Sequence, residues 1–79
     1  MSFDYQFLAI NLRRYRGDAR LSQAYVAAAA GLRQQYLSSL ECGYRPSDRA
    51  HVSKLAAVLG VSEEDLLRRV RRIGSRVAA

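Results

Sequence analysis

Apolar residues recur three or four positions apart in five stretches of the chain, and no useful length alternates with the period of two that a strand requires. The first stretch predicts a helix from about Asp4 to Arg16, with Asp4 as N-cap, Phe3 and Leu8 spaced as a hydrophobic staple, and Gly17 and Asp18 ending it. Leu8, Leu12, Tyr5 and Tyr15 share its inward face, while Arg13, Arg14 and Arg16 crowd the last turn, where cations suit the helix dipole. A second helix starts at the N-cap Ser22, stapled by Leu21 and Val26, and stops at Gly31. A third runs from about Gln34 to Cys42 and is closed by Gly43; Pro46 then enforces a loop in which Ser47 can cap the next helix. The fourth, about Asp48 to Leu59, turns Val52, Leu55, Ala56 and Leu59 to one side and ends at Gly60. The fifth, about 62–73, opens on "SEED" as a capping box with three carboxylates in its first turn and carries Leu66, Leu67, Val70 and Ile73 as its stripe. "GSRVAA" reads as a frayed tail.

Such a pattern over 79 residues makes one all-α domain, because two cores cannot be built from so little surface. With seven aromatic residues and no tryptophan, burial rests on Leu, Val and Ala packed helix against helix. Charge changes the picture more. Thirteen basic residues against seven acidic ones leave +6, and every basic residue but Lys54 is an arginine, the side chain whose fork matches phosphates and base edges. The single cysteine, Cys42, forms no intramolecular disulfide and no zinc-spaced cluster, and it reads as packing near the end of the third helix. No apolar run reaches the 18 residues that would span a membrane, and the start lacks a signal-peptide pattern, so the expectation is a soluble cytoplasmic protein. His51 and Cys42, on different helices with no phosphate-cradling glycine loop nearby, offer no catalytic pair; neither an enzyme, a cofactor nor a metal site is expected.

Residues 22–43 are the most informative. Five alanines fall in the first nine of them, a glycine comes next, and the helix after it is polar. Two helices crossing steeply through a three-residue turn need that arrangement: Ala27 and Ala30 permit close approach, Gly31 turns, and Val26, Leu32, Leu37 and Leu40 seal the underside. In Leu21-Ser22-Gln23, Ala27, Gly31 and Glu41, with "LAAVLGVSEEDLL" downstream, the chain resembles the Cro/C1-type helix-turn-helix family of phage repressors and small bacterial regulators over about residues 8–67. The resemblance implies a compact five-helix, lambda-repressor-like domain spanning 1–79, with the helix-turn-helix at about 22–42.

It also implies roles. The recognition helix of this family enters the major groove by its N-terminal end, which makes Gln34 and Gln35 the base readers, each able to pair bidentately with adenine. Gln23 matches a glutamine that contacts phosphate and pairs with the first recognition-helix glutamine, here Gln34. Ser38 lies on the base side and Ser39 on the phosphate side. Arg33 departs from the Ser or Thr cap of relatives and is assigned to DNA, a base contact included. Gly43, Tyr44 and Arg45 fall where relatives meet phosphates, in a loop one residue shorter than the common pattern. Arg16 and Glu41 match a structural ion pair, and Tyr36 is exposed, open equally to DNA contact and to packing.

One such module covers few base pairs, so a homodimer on a palindromic operator is expected, held through Leu66, Val70 and Ile73 and bound to the nucleoid when on DNA. The function so read is a sequence-specific transcription regulator, a repressor or small autoregulatory controller, with RNA polymerase as a candidate partner. The alternatives are the antitoxin of a toxin–antitoxin pair, with a toxin as partner, and a protein-interaction adaptor on the same scaffold. A membrane-surface role for the arginine-rich last helix lacks aromatic anchors.

Overall fold

The structure, a computed structural model, describes residues 5–70, and the expectations placed on Phe3, Asp4, Ile73 and the tail lie outside them. Among the described residues five helices succeed one another: α1 (Leu8–Asp18), α2 (Gln23–Ala29), α3 (Gln34–Glu41), α4 (Arg49–Leu59) and α5 (Glu63–Leu67). α1 packs on α3 and α5, α2 on α3 and α4, and α4 on α5. At their meeting point Leu8 and Leu12 of α1, Val26, Ala27 and Ala30 of α2, Leu37 and Leu40 of α3, Val52, Leu55 and Ala56 of α4, and Leu66 of α5 form the core. Each fully buried Leu or Val contributes about 1.5 to 3 kcal/mol, so a set this small leaves little surplus over chain entropy.

Four helices end alike. A residue at the C-cap of α4, and just after the C-cap of α1, α2 and α3, takes a positive φ, and the next N–H reaches back five residues: Leu21 to Arg16 O (3.0 Å), Leu32 to Ala27 O (2.8 Å), Tyr44 to Ser39 O (3.1 Å) and Val61 to Ala56 O (3.0 Å). Three of the turning residues are the glycines the sequence offers, Gly31 (φ 74°), Gly43 (φ 107°) and Gly60 (φ 73°), but the first is Arg20 (φ 59°). α1 therefore does not stop at Gly17; it runs through it, since a glycine inside a helix costs only about 1 kcal/mol. Its first residue is Leu8, several residues later than the periodicity alone predicts.

The last helix is the larger correction. Ser62 caps it as expected, its Oγ accepting from Asp65 N and its N–H donating to Asp65 Oδ2, both at 3.0 Å. Those two bonds, and more weakly the Arg68 charge, hold the Asp65 carboxyl below the usual range. Yet α5 ends at Leu67, and Arg68 is already extended (φ −64°, ψ 138°). The cause lies on α1: buried Asn11 donates both hydrogens of its amide, to Leu66 O (2.8 Å) and Arg68 O (2.9 Å), satisfying carbonyls that would otherwise accept from a further helical turn. Leu66 is completely buried in this core, so its side chain has no surface left for a second copy.

Candidate nucleic-acid interface

Ser22 Oγ accepts from Tyr25 N (3.0 Å) and starts α2, Gly31 turns the chain, and α3 begins three residues later. A Cβ at Gly31 would meet no atom within 4 Å, so the glycine is demanded by its φ and not by space. Ala27 and Ala30 are the small side chains buried between α2 and its neighbours. Leu37 and Leu40 point inward, and the opposite strip of α3 is left to solvent: Gln34 and Gln35 are exposed, and Ser38 is half-buried. Among the described residues neither glutamine amide has an intramolecular partner, so both are available to a ligand. Cys42 falls on the same strip and is exposed, not packed as its place near the helix end suggests; helical spacing from Gln35 and Ser38 was the available signal.

What holds this helix is a buried ionic knot at its far end. Arg16 of α1 grips Glu41 with two bonds, Nε to Oε2 (2.7 Å) and Nη2 to Oε1 (2.9 Å), while its Nη1 donates to Leu21 O (2.9 Å). Gln23 Nε2 donates to Glu41 Oε1 at 3.0 Å. One carboxylate thus joins α1, the start of α2 and the end of α3. Burial alone would raise the Glu41 pKa, but the hydrogen bonds from Arg16 and Gln23, with the charges of Arg16 and Arg13, outweigh it and hold the group below the ordinary carboxylate value. The Arg16 guanidinium is correspondingly raised by its bond to Glu41. The resemblance anticipated the Arg16–Glu41 pair; it placed Gln23 beside Gln34, whereas in the free chain Gln23 is drawn to the buried carboxylate.

A second tie fastens α3 to α4. Tyr36 is half-buried, its ring edge-on to His51 at 5.1 Å, and its hydroxyl lies 2.7 Å from His51 Nδ1. Ser47 N–H donates to the same phenol oxygen (3.0 Å), so one hydroxyl joins α3, α4 and the loop between them. Of the two readings of Tyr36, packing is the one this geometry meets. Ser47 is accordingly not the cap of α4; Asp48 is, its Oδ1 accepting from Ala50 N at 2.9 Å.

The remaining expected contacts divide by what their donors already do. Arg33 is the N-cap of α3 with an extended backbone, no side-chain capping bond and an exposed guanidinium. Ser39 Oγ donates to Gln35 O (3.0 Å), so its one hydrogen is used, whereas the Ser38 hydroxyl is not engaged among the described residues. Gly43 N–H donates to Leu40 O (3.1 Å) and Tyr44 N–H to Ser39 O, so the helix closure consumes both amides expected to meet phosphates. Gly43 has no other donor. The Tyr44 hydroxyl remains on a side chain 70% exposed, and Arg45 is exposed with its guanidinium 5.7 Å above the Tyr5 ring.

Among the described residues no group of three or more His, Cys, Asp or Glu is placed to hold a metal ion, and no helix is long and apolar enough to cross a membrane. A family model described as helix-turn-helix matches residues 12–66. An uncharacterized HTH-type transcriptional regulator of Sinorhizobium fredii, y4dJ, is 44% identical over 57 residues, which are 72% of this chain and 74% of that protein. The crystal structure of a hypothetical transcription factor from Neisseria, NHTF, superposes with a TM-score of 0.73 at 34% identity, over 81% of this chain and 75% of that one. Reaching from within α1 to within α5 and taking in the whole α2–α3 corner, the match establishes that the chain belongs to the Cro/C1-type helix-turn-helix family of DNA-binding transcription regulators.

Proposed function

We propose that this protein regulates transcription by reading a specific double-stranded DNA sequence with α3, as a homodimer on a palindromic operator. The observation that carries the reading is the pair of unengaged amides, Gln34 and Gln35, on the first turn of a helix whose other end is locked by Glu41. Each amide can donate to N7 and accept from N6–H of one adenine. Ser38 stands one turn further along the same strip, and Arg33 reaches from the helix mouth to a guanine or a phosphate. Tyr44 and Arg45 flank the strip as phosphate contacts, and Gln23 keeps one amide hydrogen for a phosphate beyond its bond to Glu41. Ser39 serves only if its hydroxyl leaves Gln35 O.

A single α3 spans too few base pairs for useful affinity, so two copies occupy half-sites about 34–36 Å apart. With Leu66 inside the monomer, half-buried Val70, just beyond α5, is the described residue of the expected seam left for the contact between copies. Occupying the operator would exclude polymerase, which makes the protein a repressor or a controller of its own gene.

Selection of duplexes from a random pool, with the protein-to-duplex ratio measured, tests this. The expected result is one enriched palindrome bound by two chains, with affinity falling steeply as salt rises. An unenriched pool, or affinity indifferent to salt, would instead indicate an adaptor that kept the scaffold without the DNA contact.

A further inference from the structure

A cleft of about 340 Å³ opens between α1 and the chain that leaves α5, and it contains no residue of α2, α3 or the loop after α3. Asn11, Arg14 and Tyr15 line it from α1, and Asp65, Arg68, Arg69 and Val70 from the other side. Three arginines and one carboxylate are therefore among its lining residues. Asp65 is already shared by Ser62 and Arg68, the latter at 3.2 Å, so it orients Arg68 and leaves Arg14 and Arg69 without an acidic partner among the described residues. Behind them Asn11, 3% exposed, ties α1 to Leu66 O and Arg68 O.

We infer that this cleft binds a compact polyanion, a phosphate-bearing small molecule of about pyrophosphate size or somewhat larger. The volume is at the lower end of small-ligand sites. Four of its seven lining residues are charged, three of them arginines, and guanidinium forks supplied by two elements can match tetrahedral phosphate oxygens bidentately. Such a ligand would bridge α1 to the segment leaving α5, where the contact between copies is proposed, and so would bear on assembly while leaving the surface of α3 untouched.

The test is a titration of the full-length, ¹⁵N-labelled chain with inorganic pyrophosphate, followed by NMR. The expected result is saturable shifts centred on the Asn11 side-chain amide, Arg14, Arg68 and Arg69. The double variant Arg14→Gln/Arg69→Gln should bind at least about tenfold more weakly, as loss of charge-assisted hydrogen bonds implies, with an unchanged melting temperature because neither side chain has a partner among the described residues. Shifts that fail to saturate, or that are as large at Arg33 and Arg45 as in the cleft, would reduce the effect to a diffuse ion atmosphere and overturn the inference. DNA phosphate is the other source of the same chemistry. If the double variant lowers the salt dependence of duplex binding as Arg45→Gln does, the arginines belong to the DNA footprint and the inference fails, while the reading of α3 stands.

Discussion

Replacing Arg16 by Met removes the guanidinium while keeping most of the side chain's apolar length. Glu41 would lose the bonds to its Oε2 at 2.7 Å and Oε1 at 2.9 Å and keep only Gln23, and Leu21 O would lose its donor. The Glu41 side chain is only 4% exposed, so water cannot replace what is lost; the Arg16 side chain is 23% exposed, which softens the effect. Breaking a buried pair from one side costs about 3 to 5 kcal/mol, and the partial exposure favours the lower end, about 3 kcal/mol. A chain of this size has a total stability of roughly 4 to 12 kcal/mol, and its melting temperature would fall by roughly 12 to 24 °C.

Acid should narrow the difference between the two proteins. In the wild type the Glu41 carboxyl is held below its unfolded value of about 4.3. Its contribution is therefore fully present above that pH and is lost as pH falls through the lower folded value. In Arg16→Met the strongest lowering influence is gone while burial still opposes the charge, so the carboxyl rises from its wild-type position and protonation costs the variant less stability than it costs the wild type. Urea unfolding followed by far-ultraviolet circular dichroism at pH 7 and pH 4 measures both gaps. A loss under about 1 kcal/mol at neutral pH, or an equal gap at both pH values, would refute the view that the pair is a buried lock.

Gln34→Ala should flatten the ranking of operator variants by about 1 to 3 kcal/mol at one base position, whereas Arg45→Ala should weaken all duplexes alike and reduce the salt slope by about one; competition binding at several salt concentrations separates them. Gly17→Ala should raise stability by about 0.5 to 1 kcal/mol in thermal unfolding, because the position is helical, its φ is ordinary and no atom lies within 4 Å of the added Cβ. Gly31→Ala, equally unobstructed, should lower it by about 1 to 2 kcal/mol because its φ is 74°. Arg33→Ser should add a cap to α3 worth about 1 kcal/mol and weaken operator binding at the same time, read by unfolding and by filter binding on the same preparation.

The features legible in the sequence were those decided within a few residues. Ser22 and Ser62 cap their helices by reaching three residues ahead, and Gly31, Gly43 and Gly60 turn the chain because only their own φ matters. The features missed depend on residues far along the chain or on a rare local choice. Arg20 takes the turning role that a glycine takes elsewhere, which no propensity favours. α5 is shortened by Asn11, 55 positions before the carbonyl it captures, and hydrophobic spacing carries no sign of a distant amide. The candidate site divides in the same way: the outward strip of Gln34, Gln35 and Ser38 comes from helical period alone. Which donors remain free is legible only in part: the local closure of α3 engages the Gly43 and Tyr44 amides, whereas Gln23 is engaged by Glu41, 18 positions along the chain.

Glu41 and the two glutamines sit at opposite ends of one eight-residue helix, with the anchor facing in and the readers facing out. Exchanging residues 34, 35 and 38 would leave the anchor's three hydrogen bonds to Arg16 and Gln23 in place, so binding preference can be rewritten without renegotiating the scaffold. The reverse is not true: any change at position 41 disturbs three helices together and must be matched at 16 and 23 to survive. In this architecture, novelty accumulates at one end of a short rod while the other end stays under common custody.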